Sequence, residues 1–423
     1  MKQFKEINLY VLPLIATNLL QIIISQFSLA IATNNSKEII SAISVIQNFL
    51  FAFGGILGAF SLAFNILASR ASAENLDKKF KNLIKSSFYL DCLIGGAFFI
   101  ISILFGQFIL RVVYGFQGEL LRTASLYLAI MSPYIFLTLL MFLFSNLLKI
   151  ERKTSHIFFI DTVSGLIELG LCYILVPRFG IIGAGTAVIF SLLFIVLVYF
   201  WDIKEVVLSA MKERANSRKT LLKLGLPLAI QEIFESVIFI VIFDAFMSRL
   251  GLRMLSIYAI VLQLFAIVRL PAYMYGGAVA VFVPEARKEQ KMKSFIYILS
   301  SSSMLFYILL GALAIVFSKF FSLLFIHSQG NLSLHPYLEI TILFMVFSPL
   351  YEMSKTFLQS SDCEKFVVSC TVVVNILCVL VLIGFQLAQK QSYTSLFSVY
   401  GLNILILSAI FIGKMKRLKN VEN

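Results

Sequence analysis

Three carboxylates lie within one long apolar segment of the chain. Residues 224–247 read LGLPLAIQEIFESVIFIVIFDAFM and contain Glu232, Glu235 and Asp244. A carboxylate at the centre of a membrane helix costs roughly 2.5–3.5 kcal/mol on insertion scales, so it is normally turned inward and either paired or used. Glu232 and Glu235 are close to one helical turn apart, whereas Asp244 falls near the outer end of the segment. Glu235 is therefore the first candidate for reversible binding of a proton or a sodium ion.

An arginine at a similar depth is a candidate modulator of this carboxylate. Glu235 lies about 14 residues, or about 21 Å, from the start of its helix, and Arg269 lies about 14 residues from the opposite end of the next one. A nearby cation favours the charged form of a carboxylate. Two interpretations stay open: a site that binds a coupling ion, or a permanent ion pair that allows both residues to enter the membrane.

The first half of the chain contains a second pair of carboxylates within an apolar run. Glu168 falls near the midplane of that run, and Asp161 lies seven residues earlier on the same helical face. No other constellation of catalytic or metal-binding residues is present. The five cysteines form no CxxC, no HExxH or Walker A sequence occurs, and we expect neither an enzyme nor a bound cofactor.

The elements that position these residues are membrane helices. The chain is 60% hydrophobic and 13% charged, against about 45–50% and about 25% in soluble domains. Helices are the default way to satisfy the backbone in lipid. We predict an all-α polytopic protein with twelve spans: 7–32, 40–68, 86–110, 122–149, 156–177, 181–202, 221–248, 255–283, 295–317, 337–360, 366–387 and 394–413.

The basic residues alternate between the two sides of these spans. Of the 35 Lys and Arg residues, 26 fall on the side of the two termini, 8 fall on the other side and Arg269 lies inside a span. This bias predicts a multi-pass protein of the plasma membrane with both termini in the cytoplasm. It also accounts for the net charge of +13 without a nucleic-acid partner.

Two halves of the chain resemble each other. Leu-Pro-Leu occurs at residues 12–14 and 226–228, and glutamines precede Phe-rich runs at Gln47 and Gln263. We predict a lobe of residues 1–202, a cytoplasmic linker of residues 203–220 and a lobe of residues 221–423 that ends in a short basic tail. Each lobe has six helices, so a pseudo-two-fold axis along the membrane normal should relate them, as in transporters that rock two lobes around a cavity. Helix bends are expected at Pro13 and Pro227.

Several stretches resemble one transporter family. The loop after the second span lacks the Gly-x-x-x-Asp-Arg motif of the major facilitator superfamily. The run GLPLAIQEIFESVIFIVI, with Pro227 and Glu235, is similar to the seventh helix of multidrug and toxic compound extrusion (MATE) transporters. PRFGIIGAGTAVIFS is similar to the junction of their fifth and sixth spans, ILASRASAENLDKKFKNLIK to their 2–3 loop, and FLQSSDCEK to the end of their tenth span. These transporters belong to the superfamily of multidrug, oligosaccharidyl-lipid and polysaccharide flippases.

The resemblance implies two six-helix lobes around a V-shaped cavity, with export of amphipathic, often cationic compounds in exchange for H⁺ or Na⁺. Gln26 occupies a position where members of the family often have an acidic residue in their first span. Glu168 occupies the position of an asparagine in the family's fifth span. The span-10 aspartate position falls at about Ser348, with Glu352 one turn further on the same face. These departures favour a coupling site in the second lobe. Its predicted residues are Glu232, Glu235, Glu352 and Arg269, and the possible N-lobe residues are Glu168, Asp161 and Gln26.

Two functions remain open. The first is a monomeric antiporter in the lipid bilayer, acting on a small amphipathic molecule, with H⁺ or Na⁺ as its coupling ion and no metal site beyond a possible Na⁺ at Glu235. The second is a flippase for a lipid-linked oligosaccharide or related precursor. A pyrophosphate would require several basic residues in the cavity, and only Arg269 is clearly buried on this interpretation.

Overall fold

The computed structural model describes residues 2–33, 37–113, 115–318 and 334–422, and all regular secondary structure in these ranges is helical. The first half contains α1 (Lys2–Thr33), α2 (Lys37–Ala73), α3 (Asp77–Val113), α4 (Gly118–Ile130), α5 (Tyr134–Ile150), α6 (Thr154–Phe179) and α7 (Ile181–Met211). The second half contains α8 (Arg218–Glu232), a π-helical segment (Ile233–Phe239), α9 (Ile240–Ser248), α10 (Leu252–Lys288), α11 (Met292–Val316), α12 (His335–Phe344), α13 (Ser348–Gln359), α14 (Glu364–Leu387) and α15 (Tyr393–Glu422).

The tenth predicted span is a broken helix. Within the described ranges, 11 helical stretches are long and apolar enough to cross a membrane, and each overlaps one predicted span. The remaining span, 337–360, consists of α12 and α13 with a turn at residues 345–347. Pro349 lies in the first turn of α13, where its missing N–H and its ring prevent a continuous helix from running through. The predicted span 337–360 is therefore made of two helices that meet at a turn.

The fourth span contains the same interruption. α4 and α5 lie in one apolar stretch but are separated at residues 131–133, which end in Ser132-Pro133. The corresponding Ser348-Pro349 lies 216 residues later (348 minus 132), which equals the offset between Gln47 and Gln263. The repeat therefore extends to the position of a helix break. The axis relating the two lobes stays a prediction.

The chain divides into two compact units, residues 12–229 and residues 1–11 with 230–423. The chain passes from one unit to the other between residues 11 and 12, inside α1, and between residues 229 and 230, inside α8. Both positions are within three residues of the prolines Pro13 and Pro227. Residues 1–11 belong to the second unit because Asn8 accepts a hydrogen bond from Tyr275 and Tyr10 packs edge-on against Phe282. The predicted lobes were instead bounded at the ends of whole helices. Their boundaries at 202 and 221 stay a prediction.

Both prolines of the Leu-Pro-Leu repeats lie inside helices. The bends expected at Pro13 and Pro227 stay predictions. The linker predicted at residues 203–220 is largely helical, because α7 continues to Met211 and α8 begins at Arg218.

In the N-terminal unit, an apolar core forms where α2 to α7 meet. Its buried members include Leu110, Leu121, Tyr127, Met131, Ile135, Cys172, Val176 and Ala184. The junction of α6 and α7 depends on two glycines. Gly180 has a φ of 56°, a conformation that favours glycine, and a Cβ at Gly183 would lie 2.5 Å from the Leu175 main chain. The glycines therefore permit the sharp turn and the close packing of α7 on α6.

In the C-terminal unit, α10 is a 37-residue helix that packs against both α11 and α13. Large side chains fill the core around it, and the fully buried ones include Tyr275, Tyr307, Tyr351, Phe357, Phe397 and Phe411. Gly276 allows α13 to approach, because a Cβ there would lie only 3.2 Å from the Glu352 Cβ. This close contact brings the charged face of α13 against the charged face of α10.

Candidate functional site

Glu235 lies on the π-helical turn that interrupts the seventh span. The turn covers Ile233–Phe239 between α8 and α9. Such turns shift the hydrogen-bond ladder by one residue and occur often at functional sites. The main-chain carbonyl of Phe234 accepts a hydrogen bond from Asn375 Nδ2 at 3.1 Å, and Asn375 Oδ1 accepts one from Asn403 Nδ2 at 2.8 Å. Two buried asparagines on α14 and α15 thus stabilise the turn that presents Glu235.

Four charged side chains alternate in sign in the C-terminal unit. Lys355 Nζ lies 2.7 Å from Glu352 Oε2 and 3.3 Å from Glu235 Oε1. Arg269 Nη2 lies 3.3 Å from Glu352 Oε1. Their side chains are only 5% to 17% exposed. We call these four residues the charge cluster. Its two carboxylates and two cations sum to zero net charge, which is how buried charges become tolerable.

Neutral groups complete the surroundings of the charge cluster. Gln231 Nε2 lies 3.4 Å from Glu235 Oε2, and Gln359 Nε2 donates to Gln231 Oε1 at 2.8 Å. The Lys355 ammonium lies 4.8 Å from the centroid of the Tyr351 ring, and the Arg269 guanidinium lies 4.6 Å from that of Tyr273. Aromatic faces attract cations, so the two rings favour the positive members of the cluster.

The structure brings together three of the four residues predicted for the second lobe, Glu235, Glu352 and Arg269. Arg269 contacts Glu352 and Lys355 contacts Glu235, so of the two open interpretations the permanent ion pair of Glu235 with Arg269 is not the arrangement that the structure has. Arg269 still acts on Glu235 electrostatically. Glu232 is half-buried and interacts electrostatically with Lys355.

Lys355 is the site residue that the sequence analysis missed. It was one of the 26 basic residues assigned to the side of the two termini, but its side chain is buried in the charge cluster. That correction leaves 25 of the 35 basic residues on the predicted cytoplasmic side. The statement that Arg269 is the one clearly buried cation is also wrong. The available signal was the i, i+3 spacing of Glu352 and Lys355, which places them on one helical face.

In the N-terminal unit, the two predicted carboxylates, Asp161 and Glu168, lie between α6 and α7. Tyr199 donates to Asp161 Oδ1 at 2.5 Å, and Ser191 Oγ lies 3.3 Å from Glu168 Oε2. Gln21 also reaches this region and donates to the main-chain carbonyl of Asp161 at 3.3 Å. The side chain of Gln26 lies outside the described residues. Hydroxyl groups donate hydrogen bonds to these carboxylates, and the Lys149 ammonium acts on Asp161 electrostatically.

Comparison with known proteins decides the family. The MatE family model matches residues 13–174 and 227–384, which is most of the chain. The chain belongs to the MatE family. MatE proteins are membrane transporters, which accords with the many apolar helices of this one. The two matched ranges begin at Pro13 and Pro227, the prolines of the Leu-Pro-Leu repeats.

Individual relatives of this MatE chain are distant. It is 23% identical over 362 residues to the probable multidrug resistance protein YoeA of Bacillus subtilis (strain 168), a match that covers 80% of this chain and 77% of the relative. The structure is similar to a MOP superfamily transporter from Pyrococcus furiosus, with a TM-score of 0.84, 15% identity, and coverage of 100% of this chain and 97% of the other. It is also similar to an outward-facing multidrug resistance MATE transporter, with a TM-score of 0.85, 14% identity, and coverage of 99% and 97%. These structural likenesses establish the MatE fold.

Proposed function

We propose that this chain is a secondary active transporter that exports small amphipathic, often cationic compounds in exchange for H⁺ or Na⁺. The observation that carries the proposal is the charge cluster, with its carboxylate on a π-helical turn inside a member of a transporter family. Buried ionisable residues within membrane helices commonly mark ion pathways in transporters. Glu235 is the main coupling residue, with Glu352, Lys355 and Arg269 around it and Glu232 nearby.

The charge balance of the cluster provides a mechanism. While Glu235 is ionised, its carboxylate balances one of the two cations. Neutralising Glu235 leaves Lys355 and Arg269 sharing Glu352, so one positive charge becomes uncompensated in a low-dielectric interior. The unit then relaxes toward an arrangement that separates the cations or exposes one of them to water. Because an ion shifts a conformational equilibrium only through its different affinity for the two states, this imbalance is the source of coupling.

Names of similar proteins support the class of substrate. The relative from Bacillus subtilis is called a probable multidrug resistance protein, and one structural neighbour is described as a multidrug resistance transporter. Substrates of such proteins are chemically diverse, and an apolar interior rich in aromatic residues suits amphipathic cations.

Glu235→Gln tests the proposal. The variant keeps the size of the side chain but is permanently neutral, so it should fold yet lose the response to an ion gradient. The measurement is counterflow and gradient-driven uptake of a fluorescent amphipathic cation in reconstituted vesicles, under separate proton and sodium gradients. Glu339→Gln is the matched control, because Glu339 is 59% exposed near the start of α12 and lies outside the charge cluster.

We expect gradient-driven transport by Glu235→Gln to fall at least tenfold while counterflow without a gradient persists. Wild-type rates in the variant under both gradients would instead make the charge cluster a structural ion-pair network. Glu168, between α6 and α7, would then be the next residue to test.

The flippase alternative requires a positively charged cavity, and the structure adds one buried cation but no net positive charge. Lys355 joins Arg269 as a buried cation, yet both are paired with carboxylates. A pyrophosphate group would have to displace Glu352 or Glu235 to reach them, at the cost of leaving a buried carboxylate unpaired. Vesicles containing a fluorescent lipid-linked pyrophosphate distinguish the two functions, since a flippase moves that lipid and the proposed antiporter leaves it in place.

A further inference from the structure

The Lys355 ammonium occupies the space between two carboxylates. Its Nζ lies 2.7 Å from Glu352 Oε2 and 3.3 Å from Glu235 Oε1, on a side chain that is 11% exposed. We propose that Lys355 determines which ion this site can couple: its tethered ammonium holds the position that a sodium ion would need, so the site exchanges protons and excludes sodium. This inference rests on the proposed coupling role of Glu235 and deepens it.

The first argument concerns ligands. A sodium ion must be surrounded by oxygen atoms, which unwound backbone carbonyls and carboxylates provide in sodium-coupled transporters. All four carboxylate oxygens of Glu235 and Glu352 already face nitrogen donors. Oε1 and Oε2 of Glu235 face Lys355 and Gln231, and Oε1 and Oε2 of Glu352 face Arg269 and Lys355.

A main-chain carbonyl of the π-helical turn also has a side-chain hydrogen-bond donor. Phe234 O, one residue before Glu235, accepts its hydrogen bond from Asn375 Nδ2. The four carboxylate oxygens and this carbonyl therefore already face N–H groups, whereas Gln359 Oε1 and the Tyr351 hydroxyl have no hydrogen-bond partner within the described residues. A proton needs no shell of oxygen atoms, because it binds to a single carboxylate oxygen.

The second argument concerns charge. The charge cluster is neutral as it stands, and a sodium ion added to it would bring a third cation against two carboxylates. Without Lys355 the same site would hold one uncompensated negative charge, which favours an added cation. Replacing Lys355 with a neutral residue should therefore convert a site that repels sodium into one that binds a cation.

One carboxylate outside the charge cluster, Glu232, also acts on Lys355. The other ionisable groups that interact with Lys355 are the phenols of Tyr351 on α13 and Tyr273 on α10. Phenols are neutral at physiological pH because their ordinary pKa is about 10. The charges that decide ion binding are therefore those of the cluster and of Glu232.

The test measures sodium binding directly, without a transport substrate. The full-length protein is heated in detergent micelles in sodium chloride or in choline chloride at matched ionic strength, and the unfolding temperature is recorded against salt concentration. Wild type should respond equally to the two salts. Lys355→Met should gain a saturable, sodium-specific rise of about 2 °C or more, because a ligand that binds only the folded state stabilises it.

Two controls identify the site. Lys355→Arg keeps the positive charge and should show no sodium-specific rise. The double variant Lys355→Met with Glu235→Gln should lose most of the rise that the single variant gained, because a carboxylate ligand is gone. Transport assays on wild type should show a response to the proton gradient and none to the sodium gradient.

Either of two results would overturn the inference. One is a saturable, sodium-specific rise in wild type, and the other is a folded Lys355→Met protein with no sodium response. If Lys355→Met does not fold, the inference is tested on wild type alone. A sodium-specific rise in its unfolding temperature, or transport driven by a sodium gradient, would then overturn the inference. A failure of the proposed antiport would give a different result. Transport would then be absent under both gradients, while the unfolding temperatures would still show the expected sodium responses.

Discussion

Asn375 on α14 donates a hydrogen bond of 3.1 Å to the main-chain carbonyl of Phe234, the residue immediately before Glu235. The bond connects the middle of one membrane helix to the π-helical turn of another. A buried carbonyl that loses its donor costs about 1–3 kcal/mol. Asn403 orients the Asn375 amide from a third helix at 2.8 Å. Asn375 is therefore a positioning residue for Glu235, although it does not touch the carboxylate.

We predict that Asn375→Leu impairs coupling while leaving the protein folded. Leucine is close to asparagine in size but cannot donate to Phe234 O, so the turn should relax and shift Glu235 relative to Lys355. Gradient-driven transport should fall about tenfold, which corresponds to about 1.4 kcal/mol, and the pH profile should change. Vesicle transport measured across a pH series provides the readout.

Two comparison variants separate positioning from general damage. Asn403→Leu leaves the Asn375 donor in place and should have a smaller effect, whereas Ser369→Ala on the exposed face of α14 should have none. An unchanged pH profile in Asn375→Leu, with only a lower amount of folded protein, would mean that the asparagine merely supports packing.

Arg269→Ala should shift the pH dependence of transport upward. Removal of the guanidinium takes a positive charge away from Glu352 and, at longer range, from Glu235. Carboxylates that lose a nearby cation bind protons at higher pH, so protonation-driven steps should occur at higher pH. The measurement is the pH optimum of transport in vesicles clamped at the same pH difference.

Arg269→Lys should restore much of the wild-type profile because it keeps the charge. Arg249→Ala is the matched control, since Arg249 is exposed at the end of α9 and bonds to Gln386. A downward shift or an unmoved optimum in Arg269→Ala would contradict the assigned role of the guanidinium.

The short connection between α7 and α8 is fastened to α3. Lys85 Nζ donates to the main-chain carbonyls of Met211 at 2.7 Å and Glu213 at 2.6 Å. Asn82 Oδ1 accepts hydrogen bonds from the main-chain N–H groups of Asn216 and Ser217 at 3.1 and 2.9 Å. These bonds satisfy the end of one helix and the start of the next, so residues 212–217 are held to the N-terminal unit.

Lys85→Met should free this connection. We expect trypsin to cleave at the exposed Lys212 or Arg214 about tenfold faster than in wild type, because cleavage follows the population of the open segment. The same digestion tests topology, since only inside-out membrane vesicles should expose these residues if the connection is cytoplasmic. Lys79→Met, an exposed lysine one and a half turns earlier on α3, is the control. Equal cleavage of both variants would show that the lysine bonds do not restrain the connection.

Much of the architecture could be predicted because its causes are local. Runs of about 20 apolar residues must become helices in lipid. The basic residues between these runs lie mostly on one side of the membrane, which predicts the orientation. The repeated Leu-Pro-Leu segments indicated two related halves, but the sequence did not predict that the compact units divide within the helices that carry these segments. Ser132-Pro133 and Ser348-Pro349 were visible too, but a proline alone does not reveal whether a membrane helix bends or breaks. The broken tenth span therefore required the structure.

By itself the sequence determined that this protein is an all-helical membrane protein with acidic residues buried in its seventh span. Only the tertiary structure decided which charges meet. Glu235 and Lys355 are 120 residues apart, and Arg269 and Glu352 are 83 apart. Their pairing depends on the rotation and the packing distance of separate helices, which hydrophobic periodicity does not specify. The same holds for the π-helical turn, whose donor Asn375 comes from a helix 141 residues away in sequence.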